Sequence, residues 1–274
     1  MTQPHIESKN SKKRAKKTEA KKTSPSSSSS TLPVGRFCWY ALRTPDLARS
    51  KSFYGDVLGW KHSVDEKFGM EVFAGSEGPV VHTEVHPGPA SFLSYVVVDD
   101  VEAAARRVQA AAGKVLESAK TMPDVGTMQS VEDGDGAVFS LFQPVSARAA
   151  AVRKGIGAPI WNELWAKDEK NALAFLTAVV GYVVDAMPMP GFTYNVIRHG
   201  EEQQGGVMQA QDPSLPSAWV PYFFVVDVDA AHRRALAGGA TELGEVMDVP
   251  NIGRMASLLD PHGARFAIMT PIPR

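Results

Sequence analysis

Along the chain the apolar positions switch between two periods. RFCWYALR (36–43) alternates and is rich in aromatic and aliphatic residues, as a half-buried strand is. Leu47, Phe53, Tyr54, Val57 and Leu58 then follow helical spacing. Thr44-Pro45-Asp46 predicts the start of that helix, with Thr44 as N-cap, and Gly59 its end. FLSYVVV (92–98) reads as the next strand, and Val101, Ala104, Ala105, Val108 and Ala112 as a second helix, capped by Asp99 or Asp100 and closed by Gly113. Strand, short helix, then strands joined by turns make a βαβββ unit, written twice.

The pair of units is itself repeated. VGTMQSVEDGDGAVFSLFQP, from Val125, and IGRMASLLDPHGARFAIMTP, from Ile252, align without a gap, 127 residues apart, matching Met128 with Met255, Ser130 with Ser257 and Asp133 with Asp260. VVDDVEAAARRV (97–108) and FVVDVDAAHRRA (224–235) keep that offset and pair Arg106–Arg107 with Arg233–Arg234. WYALRTPDLARSKSFYGDVLGW (39–60) and WNELWAKDEKNALAFLTAVVGY (161–182) align 122 apart, so five extra residues enter the second copy, expected in surface loop between Gly181 and Asp227. The turns DGDG (133–136) and DPHG (260–263) use residues that tolerate left-handed backbone. The fold class is therefore α+β, with tandem βαβββ units in two domains at 34–145 and 158–274 and a linker at 146–157.

Charge changes the picture only at the front of the chain. Residues 1–33 hold seven Lys and one Arg against two Glu, while the whole chain of 274 residues has a formal net charge of −1. KKRAKKTEAKK running into SPSSSSS has too little apolar surface to offset its ordering entropy and is expected to be disordered. Such an arm allows weak, salt-sensitive contact with nucleic acid or another polyanion, without aromatic residues for base stacking. It has no apolar core of a signal peptide, and no run of about 18 apolar residues predicts a membrane span. One cysteine, Cys38, leaves no intrachain disulfide or thiolate zinc cluster, which suits a cytoplasmic protein. Strand alternation puts Cys38 on the helix-packed side, as a small buried hydrophobe.

The opening strand before Asp46, the FYGDVLGW segment (53–60) and the closing hairpin from Asp260 to Phe266 resemble the vicinal-oxygen-chelate superfamily. That superfamily holds glyoxalase I, extradiol dioxygenases, fosfomycin-modifying enzymes and bleomycin-sequestering proteins. WNELWAKD (161–168) and GGVM (205–208) are similar to bacterial two-domain glyoxalase-like proteins. The resemblance covers residues 34–272 and implies cup-shaped mixed sheets, with a divalent metal held by His, Gln or Glu on the cup wall in the family's metalloenzymes. The implied ligand positions fall here on Trp39, Leu93 and Ser140 and on Trp161, Val220 and Ala267, so no metal is favoured.

One alternative keeps a divalent metal open. VVHTEVH (80–86) places His82, Glu84 and His86 on one side of a strand, although the ends of that set are about 13 Å apart on an unbent strand. Met208, Ala210 and Asp212 are taken as their counterparts in the second copy. The favoured function is binding of a small, partly aromatic or electrophilic molecule by Trp161, Glu163, Tyr194, Met208, Tyr222 and Arg254, with Trp39. A metal-dependent lyase or dioxygenase using His82, Glu84 or His86 is the alternative, followed by an assembly module whose basic arm tethers nucleic acid. No membrane partner is expected, and a homodimer is compatible with the sequence.

Overall fold

The computed structural model describes Met1 and residues 32–189, 191–212 and 215–272; of the basic arm at 1–33, residues 2–31 lie outside the described residues. The first half runs β1 (Phe37–Thr44), α1 (Leu47–Leu58), β2 (Lys61–Asp65), β3 (Met70–Gly75), β4 (Gly78–Val85), β5 (Ser91–Val97), α2 (Val101–Ala110), β6 (Lys114–Val115), β7 (Lys120–Met122), β8 (Gly126–Glu132) and β9 (Val138–Pro144). After a short 3-10 turn at Ala147–Ala150 the second half runs β10 (Pro159–Ala166), α3 (Glu169–Val180), β11 (Val183–Met189), β12 (Phe192–His199), β13 (Glu202–Gln209), β14 (Ala218–Phe224), α4 (Val228–Ala237), β15 (Thr241–Glu242), β16 (Met247–Val249), β17 (Gly253–Leu259) and β18 (Arg265–Pro271).

Each half makes one curled mixed sheet. The strand orders are β2-β3-β4-β1-β5-β9-β8-β6, with β7 also on β8, and β11-β12-β13-β10-β14-β18-β17-β15, with β16 also on β17. The two βαβββ units of a half meet at the antiparallel pair β1–β5 or β10–β14, while β1–β4 and β5–β9 are parallel.

Repeated residues explain the repeated elements. Asp46, Asp100, Asp168 and Asp227 are the N-caps of the four helices, each accepting a hydrogen bond from the backbone three residues on. The α1 cap is thus Asp46 rather than Thr44, whose hydroxyl pairs with Ser50 at 2.9 Å. Gly59 and Gly181 close α1 and α3 in the left-handed conformation that favours glycine. At the hairpin tips, Asp133 accepts from the backbone of Asp135 and Ala137, and Asp260 from that of His262 and Ala264.

The inner faces of the two sheets and all four helices share one apolar core. Tyr40, Leu42, Phe53, Tyr54, Val96 and Phe139 of the first half are continuous with Leu164, Phe175, Phe223, Phe266 and Ile268 of the second. Helix α1 packs on α4, α2 on α3, and β5 approaches β14. Polar groups close this junction reciprocally. Arg107 donates to the Val179 carbonyl near the end of α3, and its repeat partner Arg234 donates to the Asp56 carbonyl near the end of α1, at 2.9 and 2.7 Å. Both cations thereby meet the carbonyl end of a helix, where positive charge is favoured.

The extra residues of the second copy enter in two places. The offset between copies is 124 from β4 to β13 (Gly78 to Glu202) and 127 from β5 to β14 (Ser91 to Ala218). The counterparts of His82, Glu84 and His86 are therefore Gly206, Met208 and Ala210, two residues before the expected Met208, Ala210 and Asp212.

Tyr54 Oη donates to Asp260 Oδ2 at 2.9 Å, joining the halves between side chains that are both buried. Tyr54→Phe strands one lobe of a buried carboxylate and is expected to lower unfolding stability by about 1–3 kcal/mol in a denaturant titration. No loss would mean that this tie does not hold the halves together.

Candidate functional site

The core takes the inner faces, so the outer, concave faces carry what remains. On the second sheet Val220, Tyr222, Ala267 and Met269 form a buried apolar floor, with Trp161, Trp165 and Met255 packed against it. Glu163 lies within this cluster, 5% exposed. Its Oε1 accepts from Tyr194 Oη at 2.7 Å, and its Oε2 from Trp165 Nε1 at 2.7 Å and Tyr222 Oη at 2.8 Å. Trp161 Nε1 donates to Tyr194 Oη at 2.9 Å, extending the chain by one ring. Strand periodicity explains the grouping, since Trp161, Glu163 and Trp165 are alternate residues of β10 and share a face. Burial, then the Glu163 charge, pushes the Tyr194 and Tyr222 phenols well above their ordinary range, so both keep their protons and act as donors. Gly206 faces Glu163 in register on β13, and a Cβ there would run into the Tyr194 hydroxyl, so only glycine leaves room for that ring.

The first sheet builds a different cluster on equivalent strands. Trp39 Nε1 donates to His82 Nδ1 at 2.9 Å, which places the imidazole proton on Nε2, facing Glu84 Oε1 at 3.2 Å. Arg43 Nε donates to Glu84 Oε2 at 2.9 Å, and the Tyr95 ring meets His82 edge-on. Glu84 is held near 2, below the usual 4.5, first by the His82 hydrogen bond and then by Arg43, against a burial effect of opposite sign. Burial raises the Tyr95 phenol, with Glu84 adding to it.

The expected site residues divide accordingly. Trp161, Glu163, Tyr194 and Tyr222 come together, and Met208 stands in register with Trp165 on the neighbouring strand. Trp39 belongs to the other cluster, on the other sheet. Arg254 departs from the expected set. Met255 carries the concave position of β17, so Arg254 points the other way, with two bonds to Asp229 and one to Asp248. It lines a separate surface groove of about 690 Å³ with Asp227, Val249 and Pro250.

His86 also leaves the expected constellation, since it is exposed beyond β4 and its Nδ1 accepts from the Gly88 backbone. Among the described residues no three His, Cys, Asp or Glu side chains are placed to hold one metal ion. The implied metal positions do belong to this wall, with Leu93, Val220 and Ala267 in the concave clusters and Ser140 in register with Tyr95. Their side chains offer one hydroxyl and no imidazole or carboxylate, so they do not fit the family's metal. Cys38 is the extra residue of a bulge between Phe37 and Trp39, which turns it into the concave cluster rather than the helix side. Burial pushes its thiol up to about 12, leaving it a poor nucleophile.

Trp165, Arg43 and Tyr95 were absent from the expected set. Each had a signal: Trp165 lies two residues beyond Glu163, Arg43 is its repeat counterpart, and Tyr95 stands 127 before Tyr222.

Two curled sheets of paired βαβββ units, with polar and aromatic groups gathered on their concave faces, define a tandem glyoxalase-like fold. Residues 36–141 match the Glyoxalase/Bleomycin resistance protein/Dioxygenase superfamily. The chain is 34% identical over 247 residues to "Putative glyoxylase CFP32" of Mycobacterium tuberculosis, covering 86% of this chain and 95% of that relative, and it belongs to this superfamily. The anthracycline biosynthesis protein DnrV of Streptomyces peucetius is 31% identical over 256 residues, covering 86% of this chain and 93% of that protein. Among solved structures, the Mn(II)-bound glyoxalase from Novosphingobium aromaticivorans superposes with a TM-score of 0.61 at 18% identity, over 86% of this chain and 82% of that one, a likeness of fold.

Because the folded Glu84 carboxyl is the stronger acid, its cluster favours folding above about pH 4.5 and loses that contribution as pH falls toward 2. Glu84→Gln is therefore expected to flatten the fall in denaturation midpoint over that acid range. A profile identical to that of the parent would contradict the His82–Glu84–Arg43 assignment.

Proposed function

We propose that this protein binds a small, partly aromatic or electrophilic molecule on the concave face of its second sheet, without the divalent metal used by the superfamily's metalloenzymes. The observation that carries this reading is the convergence of Trp165, Tyr194 and Tyr222 on the buried carboxylate of Glu163, with Trp161 joined to it through Tyr194. Flat rings with polar tips around an apolar floor suit a ligand that stacks and is oriented by a few fixed groups. Kinship with DnrV, named for anthracycline biosynthesis, is compatible with such a ligand.

The chemistry available there is binding and orientation. Glu163 accepts three hydrogen bonds, so it can reorganise toward a ligand donor only by releasing Tyr194, Tyr222 or Trp165. The metal-dependent alternative through His82 and Glu84 has less support. Both imidazole nitrogens of His82 have partners, Trp39 and Glu84, and a metal would have to displace one of them.

Metal content separates the two. Inductively coupled plasma mass spectrometry is to be run on protein purified without chelator and then loaded with Zn, Mn, Fe, Co and Ni in turn. No stoichiometric ion is expected after desalting. One tightly held ion per chain, lost in His82→Ala, would overturn the metal-free reading and move the active centre to the first sheet.

A further inference from the structure

Resting on the aromatic-cup reading, we propose that the ligand of the second sheet is an organic cation, an ammonium or quaternary ammonium group on a small organic frame. The first observation is an uncompensated charge. Glu163 is 5% exposed, and its three partners, Trp165, Tyr194 and Tyr222, are all neutral donors. Among the described residues no Lys, Arg or His forms an ion pair with it, whereas Glu84 on the other sheet is paired with Arg43 and also accepts a hydrogen bond from His82. Neutral donors solvate a buried carboxylate but do not cancel its charge, and a cation arriving from solution would.

The second observation is independent of the first. Trp161, Trp165, Tyr194 and Tyr222 aim their polar tips inward, at Glu163 or, for Trp161, at Tyr194. Among the described residues none of these four rings stacks on another aromatic ring, and Trp161, Trp165 and Tyr194 remain partly exposed. Partly exposed aromatic surface of Trp161, Trp165 and Tyr194 is therefore what these residues offer a ligand. An aromatic face carries negative potential and attracts alkylammonium groups, most strongly at Trp. Carboxylate and ring faces thus select the same sign of charge and disfavour an anion. Met208, Met255 and Met269 on the surrounding strands add a polarizable apolar lining.

The test compares two probes of the same shape, para-hydroxyphenyltrimethylammonium and para-tert-butylphenol, which differ in having a cationic nitrogen or a neutral carbon at one centre. Isothermal titration calorimetry on the full chain is expected to give a dissociation constant about tenfold or more lower for the cation. Glu163→Gln is expected to shrink that difference by severalfold, leaving the part due to the ring faces. Should Glu163→Gln fail to fold, Trp161→Leu retains Glu163 and its three donors and is expected to weaken the cation more than the phenol. Equal affinity of both probes for the parent protein would overturn the cation inference and leave the aromatic-cup reading standing. Binding of neither probe would overturn both.

Discussion

The rest of the structure depends on one shared apolar layer. Four helices and the inner faces of both sheets are buried in a single core, so neither sheet can turn its inner face to solvent without exposing aromatic side chains such as Tyr54, Phe139, Phe223 and Phe266. Each fully buried side chain of that kind is worth about 1.5–3 kcal/mol relative to leaving it in water. The concave outer faces are thereby left outside the shared core. Arg107 and Arg234, reaching across the junction to helix-end carbonyls of the opposite half, make the arrangement reciprocal.

Within that constraint the two copies have diverged by exchanging where the acid stands. At the central strand crossing, the first sheet places Ala41 beside His82, and the second places Glu163 beside Gly206. Two residues further along, on the same face, Arg43 faces Glu84 where Trp165 faces Met208. The first sheet thus gathers a carboxylate paired with a guanidinium and hydrogen-bonded by an imidazole. The second gathers a carboxylate surrounded by rings, with glycine opposite to make space for Tyr194. These are different chemical environments on one scaffold.

Much of the fold was legible before any coordinates. The 122 and 127 offsets already paired the capping aspartates and the hairpin aspartates, because those residues satisfy local backbone donors and so leave a local signature. Alternation on β10 put Trp161 and Glu163 on one face for the same reason. What escaped depended on events that alternation cannot register. A bulge at Cys38 reversed its side, and two short insertions displaced the counterparts of His82 and Glu84 by two residues. Arg254 was misplaced because one position along β17 separates the concave face from the outward one. The convergence of Tyr194 and Tyr222 on Glu163 joins residues 31 and 59 apart in sequence, which only the folded sheet brings together.

The chain contains five tryptophans, Trp39, Trp60, Trp161, Trp165 and Trp219, and their indole N–H resonances report separately on the two concave faces and the core. The most direct measurement is therefore a titration of isotopically labelled protein with a panel of neutral and cationic aromatic fragments, followed at those five signals. The account predicts that Trp161 and Trp165 shift together while Trp39, Trp60 and Trp219 stay in place. Shifts confined to Trp39 would contradict it and transfer ligand binding to the His82–Glu84 cluster of the first sheet.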